Sequence, residues 1–319
     1  MITKCFAAYC KDEKIRDASS SGGIFYYLAK SIIDEGGVVF GAAFDENWEV
    51  KHIACDNLEE LPKLMKSKYV QSDMGNAYEL AKNELLSGRK VLFCGTPCQA
   101  YGLISFLTAS GIYDKVMSGL YTMDFVCHGV PSRMVWRKYL EELSSGKTIK
   151  NIDFRDKTNG WRDYNLKVEY ADGPTYIKSW HKDSYSQGFV KNLYLRESCY
   201  NCAFRGVERK TDITIADFWG VHKVLPDFFD DKGASTMIAH SEKGVGLIEK
   251  ISDEIEMREI EKEIIIQNNS PLVKSVNRND KRDKFFSSIK KRKISTTVER
   301  LTRKSLFKRV IKRVKRVMQ

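Results

Sequence analysis

Apolar residues recur at helical spacing from Ile24 to Ile33, and Gly36-Gly37 ends the run. Residues 38–44 then form a short apolar stretch rich in β-formers, and 49–55 alternate like a half-buried strand. Asp45-Glu46-Asn47 between them predicts a hairpin. The pattern continues with a helix over 76–86, a buried strand over 90–94, a helix over 98–107, a strand over 120–126 and a helix over 132–143. Strands alternating with helices imply an α/β layer. Residues 150–220 read differently, with short alternating strands over 165–170 and 175–179, turns and little helix. The expected fold class is α/β: a mixed, mostly parallel sheet flanked by helices, with a smaller α+β lobe and a basic helical C-terminal tail. The expected units are 1–145, 146–280 and 281–319, with the first boundary near Ser145-Gly146.

Composition narrows the class. With 319 residues, 42% hydrophobic and 30% charged, the chain can bury a sizeable core. No stretch approaches the roughly eighteen apolar residues of a spanning helix, and the N-terminus lacks the pattern of a signal peptide. The expected location is cytoplasmic, where eight cysteines do not form a disulfide framework. Charge is uneven: after position 280, sixteen Lys or Arg stand against two acids, so residues 281–319 carry +14 and residues 1–280 carry −3 of the net +11. The body is mildly acidic, and nucleic acid is not an expected partner. In the tail, Leu306, Val310, Val314 and Val317 form an apolar stripe among basic residues. That pattern suits an anionic membrane surface, and equally a charged helix packed on the body.

Three segments carry candidate chemistry. Gly95-Thr96-Pro97-Cys98-Gln99 follows a buried strand and opens a helix, where free N–H groups and the helix dipole favour a thiolate. Cys127-His128-Gly129-Val130-Pro131-Ser132 repeats the arrangement, and parallel strands would bring Cys98 and Cys127 out on one sheet edge. Cys199-x-x-Cys202 can grip one metal centre with two thiolates. Four thiolates from three segments suit an iron–sulfur cube, and spacing alone leaves zinc open. Cys55 and Cys94 end apolar runs and read as core. Ser19-Ser20-Ser21-Gly22-Gly23 precedes the first helix, as a phosphate cradle or a plain N-cap would. Ser67-Lys68-Tyr69-Val70-Gln71 gathers a cation, a ring and an amide, which suits a dinucleotide cofactor or a solvated loop.

These motifs occur in an order that resembles the coenzyme F420 hydrogenase/dehydrogenase beta-subunit family. Arg16 leads into Ser-Ser-Gly-Gly, then come Ser-Lys-Tyr-Val-Gln, Val91-Leu-Phe-Cys-Gly-Thr-Pro-Cys-Gln99 and Cys127-His-Gly-Val-Pro-Ser132. Phe154-Arg-Asp-Lys157 with Trp161, the CxxC pair and Asp212-Ile-Thr-Ile-Ala-Asp-Phe-Trp-Gly220 complete the set, over about residues 10–225. The resemblance implies an oxidoreductase with FAD and a [4Fe-4S] cluster. It implies cluster ligation by Cys98, Cys127, Cys199 and Cys202, and flavin contacts from Ser20, Ser21, Gly22, Gly23, Ser67, Lys68, Tyr69, Gln71, Thr96 and Gln99. Many members carry an upstream ferredoxin module. Here only Cys5 and Cys10 precede the first shared motif, too few for two clusters, so electrons are expected from a separate ferredoxin-like partner or a deazaflavin-type cofactor. His128 beside a ligand could tune a potential, shuttle a proton or make a structural hydrogen bond. No catalytic base stands out. The rival expectation is a zinc- or cluster-stabilised scaffold subunit, associated in some relatives with surface-polysaccharide assembly.

Overall fold

The computed structural model describes residues 3–303. An eight-stranded sheet is built from β1 (Lys4–Cys10), β2 (Val38–Phe44), β3 (Val50–Cys55), β4 (Val91–Gly95), β5 (Leu120–Phe125), β9 (Ile213–Asp217), β10 (Ser235–Ala239) and β11 (Ile255–Glu259). A separate three-stranded antiparallel sheet holds β6 (Ile149–Asp156), β7 (Asn165–Tyr170) and β8 (Thr175–Ser179). The large sheet runs β11-β1-β10-β9-β5-β4-β2-β3. Its class is the expected α/β with a mixed sheet. Parallel pairing is confined to β2–β4–β5–β9, however, and the other four pairs are antiparallel. The β2–β3 hairpin and the return of β10, β1 and β11 at the other end supply them.

Strand β4 shows why its sequence is apolar throughout. Leu92 joins a core with Ile24, Leu28 and Ile32 of the helix Ile24–Asp34, together with Phe6, Val39 and Met237. Val91 and Phe93 point to the opposite face, where Ala81 and Leu85 of Ala77–Leu86 and Leu103 and Leu107 of Pro97–Ala109 cover them. A strand with both faces covered has no place for unpartnered polar residues. Each fully buried Leu, Ile or Phe contributes roughly 1.5–3 kcal/mol through apolar burial.

Two expected boundaries shift. The span 146–280 is divided between the sheets, since β9, β10 and β11 complete the large one. Residues 281–302 pack one face on the core rather than forming an extension. Phe285 on the helix Arg282–Ser288, Ile289 at its C-cap, and Ile294, Val298 and Leu301 on Ile294–Thr302 bury against Trp136, Phe154, Leu166, Tyr185 and Tyr194. Their apolar side chains have too much surface to stay in water. The stripe Leu306–Val317 lies outside the described residues. Among the described residues no helix is long and apolar enough to cross a membrane. Cys5 and Cys10 are buried β1 side chains whose thiols burial pushes up to about 11.

Candidate functional site

β4 and β5 are parallel neighbours, with Gly95 registered on Asp124, so the loops after them leave one sheet edge together. Thr96 starts the helix Pro97–Ala109 with a capping box. Its hydroxyl lies 3.1 Å from Cys98 Sγ, and Gln99 Oε1 accepts from the Thr96 N–H at 2.9 Å. Cys98 is thereby held in the first turn with its side chain exposed. Cys127 follows β5, and the next helix, Arg133–Ser144, starts from Ser132. Glu197–Asn201 forms a short 3-10 turn that carries Cys199 toward the same place, where the Val130 N–H points at Cys199 Sγ at 3.4 Å. A Cβ on Gly129 would lie 3.3 Å from that of Cys199, and Gly129 has a φ of +149°. Backbone from one loop therefore presses directly on a cysteine of the other.

The thiols sense one another. Burial pushes Cys127 up to about 12, and negative charge at Cys199 and Cys98 pushes the same way. Burial also raises Cys199, with Cys98 and Cys202 adding to the rise. All four cysteines thus share one electrostatic environment, where a metal's positive charge would reverse the shift and favour thiolates. Among the described residues no three His, Cys, Asp or Glu side chains are close enough to hold a single metal ion.

A second cluster lies beside this edge. The Ser67 N–H donates to Ser20 Oγ at 2.7 Å, joining the two loops singled out in the sequence. Lys68 Nζ donates to the carbonyls of Met65 at 2.6 Å and Lys66 at 3.3 Å, and burial lowers its pKa to about 7. Lys157 Nζ donates to the carbonyls of Lys232 at 2.9 Å and Arg16, and burial lowers it to about 8. Lys66, held at a φ of +64°, pairs with Asp153. Among the described residues neither Lys68 nor Lys157 meets a carboxylate. Cations in this condition are short of a counter-charge. Gln99 Nε2 donates to Ser72 Oγ at 2.7 Å and so ties the cysteine edge to the 67–72 loop.

The remaining expected contacts are engaged otherwise. Ser21 Oγ donates to the Ala234 carbonyl at 2.8 Å. A Cβ on Gly22 would meet the Ala8 carbonyl oxygen at 2.6 Å, so that glycine serves strand packing. Gly23 takes a φ of +81° to start the first long helix. Tyr69 stacks on Phe189, and its carbonyl accepts from the Tyr185 hydroxyl. Thr96 and Gln99 satisfy each other, and Gln71 is half-buried. Arg155, 1% exposed, clamps Asp217 with two bonds of 2.9 and 3.0 Å while lying over Tyr164. Trp161 also donates to Asp217 and stacks on Trp219. These motif residues are the joint between the two sheets. Sequence reasoning missed Lys157 as a member of the cationic cluster, although it ends the Phe-Arg-Asp-Lys motif. It missed Arg205 and Lys66 entirely.

Comparison with known proteins agrees with this architecture. Residues 5–79 match the N-terminal part, and residues 88–263 the C-terminal part, of the family described as "Coenzyme F420 hydrogenase/dehydrogenase, beta subunit". Among solved structures, the chain is similar to one in the F420-reducing [NiFe] hydrogenase complex from Methanosarcina barkeri. The TM-score is 0.58 at 17% identity, covering 89% of this chain and 91% of that one, a likeness of fold. A search of curated proteins returns no match. With both halves of the family pattern in order across the large sheet and its cysteine edge, the chain belongs to the coenzyme F420 hydrogenase/dehydrogenase beta-subunit family, a family of oxidoreductase subunits.

Proposed function

We propose that this chain transfers electrons between a flavin and an iron–sulfur cluster. FAD would take the Ser20–Ser67–Lys68–Lys157 cluster with its diphosphate, and Cys98, Cys127, Cys199 and Cys202 would hold a [4Fe-4S] cube. The observation that carries this reading is adjacency: one hydrogen bond, Gln99 to Ser72, joins the cationic loop to the helix bearing Cys98. A flavin exchanges electrons in pairs or singly and a cluster singly, so the two together convert between modes. A cube gives each thiolate its own iron, so its ligands stand farther apart than those of one ion. A separate ferredoxin-like carrier or a deazaflavin-type cofactor would be the exchange partner.

The protein's part is charge and position. Burial holds Lys68 and Lys157 below the usual lysine pKa. A diphosphate close to either ammonium would favour its protonated form, so binding takes up protons. Affinity for FAD should therefore weaken as pH rises from about 7 to about 9. Losing one charged hydrogen bond costs roughly 1.5–3 kcal/mol, so Lys68→Ala and Lys157→Ala should each weaken FAD binding by about 10- to 100-fold. Fluorescence titration of flavin-stripped protein measures this, and wild-type affinity in both variants would place the cofactor elsewhere. Gly22→Val is a poor probe, because its side chain would collide with β1.

For the C-terminal segment the reading is a cytoplasmic protein docking on an anionic membrane. Lys290, Lys291, Arg292 and Lys293 are exposed and, among the described residues, without ion pairs. Residues 304–319 add seven Lys or Arg, each contributing on the order of 1 kcal/mol near such a surface. Full-length protein should float with phosphatidylserine vesicles at moderate salt, and deletion of 304–319 should reduce the floated fraction at least several-fold. Indifference of the full-length chain to those vesicles would end this reading.

A further inference from the structure

Arg205 follows the CxxC pair by three residues and turns back between the cysteine loops. Its Nη1 donates to the carbonyls of Cys127 and Pro271, and its Nη2 to that of His128 at 3.3 Å. One side chain thus joins the loop after β5, the CxxC segment and the turn at Pro271. All of these partners are neutral carbonyls, and among the described residues no carboxylate pairs with the guanidinium. Its Nε is buried with no partner at all. Arg209, close by, is different: it pairs with buried Asp124 at 2.6 Å. A half-buried guanidinium whose partners are all neutral carbonyls keeps its positive charge uncompensated and so favours an anion beside it. The charge of Arg205 is felt at both Cys127 and Cys199, where it opposes the effect of burial.

We propose that Arg205 is the counter-charge of the cluster and raises its reduction potential; this rests on the cluster reading above. Four thiolates around an iron–sulfur cube leave the unit negative, and reduction adds one more electron. A fixed positive charge nearby, partly screened from solvent, stabilises the reduced form more than the oxidised form. Arginine suits the position because it never deprotonates and its planar fork can hold carbonyls while presenting charge.

The test compares Arg205→Gln, which loses the charge, with Arg205→Lys, which keeps charge but loses the fork. Proteins are purified anaerobically, iron is counted, and the cluster is titrated with dithionite while absorbance and electron paramagnetic resonance are followed. Arg205→Gln should move the potential downward, and Arg205→Lys should restore most of the shift. If both variants keep iron and the wild-type potential, or Lys shifts it as far as Gln, the proposal is wrong. Loss of iron from Gln but not from Lys supports it, because charge separates the two. Loss from both shows that the carbonyl fork matters and the charge does not. Absence of iron from the wild-type protein would instead end the cluster reading itself.

Discussion

Cys127→Ser will strip the protein of iron and destabilise it more than the same change at Cys98, Cys199 or Cys202. Anaerobically purified wild type should be brown and hold about four irons per chain, as one [4Fe-4S] cluster requires. Each of the four serine variants should fall close to zero. Cys127 leads because of its surroundings. Burial drives its thiol up to about 12, and Cys98 and Cys199 press on it electrostatically. Serine there leaves a hydroxyl among thiols with no iron to bind. Cys98, by contrast, is exposed, and its replacement costs the fold little beyond the lost ligand. A ligand held at a hundred times its Kd stabilises the folded state by about 2.7 kcal/mol, so cluster loss should also lower the unfolding midpoint. Cys55→Ser and Cys94→Ala are the controls. Both are core thiols, with Cys94 also pushed to about 12 by burial, and both variants should keep their iron. Stoichiometric zinc without iron, or iron retained in Cys127→Ser, would refute the assignment.

The central strands were legible because both faces of β2, β4 and β5 are covered. β2 and β4 are therefore continuous apolar runs, and the helix Ile24–Asp34 packed on them carries a strong apolar stripe. The cysteine edge was legible for the same reason: two strand–turn–helix units in succession imply parallel neighbours, and Cys98 and Cys127 stand at equivalent ends. β1 was not. Lys4–Cys10 has small residues, Ala7 and Ala8, at its centre, and its place between β10 and β11 depends on partners more than 220 residues away. Local pattern cannot encode a pairing of that range. A helical segment was expected after residue 280, but its burial against the body was hidden by charge. Its apolar residues Phe285, Ile289, Ile294 and Val298 are spaced for burial, but Lys and Arg on the outer faces dominate the composition. In the cationic cluster, Ser20 and Lys68 were legible as loop chemistry. Lys157 was not, because it follows the three-stranded lobe's first strand and is linked to the 67–72 loop only through the shared neighbour Lys66.

Acid should unfold this protein through two neutral histidines, before most of its carboxylates titrate. His52 and His240 are 8% and 7% exposed, and burial lowers both to about 4. Each has one ring nitrogen engaged and one bare: His52 Nε2 lies 3.1 Å from the Cys94 carbonyl, and His240 Nε2 lies 2.8 Å from Thr214 Oγ1. Thr214 gives its own proton to Asp124, so it accepts from His240, which fixes the proton on Nε2 and leaves Nδ1 bare. Protonating either ring would place a cation on a buried nitrogen with no acceptor, near Arg209 for His240 and Lys68 for His52. Above pH 6.5 both states of the chain hold neutral imidazole, and the histidines add no pH dependence. Between about 6.5 and about 4 the unfolded chain binds protons that the folded chain refuses, so stability falls as pH falls. Each ring accounts for on the order of 3 kcal/mol by pH 4. Ordinary carboxylates contribute mainly below about pH 5, so the interval from 6.5 to 5 isolates the histidines. Urea unfolding midpoints taken across that interval should fall steeply for wild type and only slightly for His52→Gln/His240→Gln. Parallel curves for the two proteins would show that the acid sensitivity arises elsewhere.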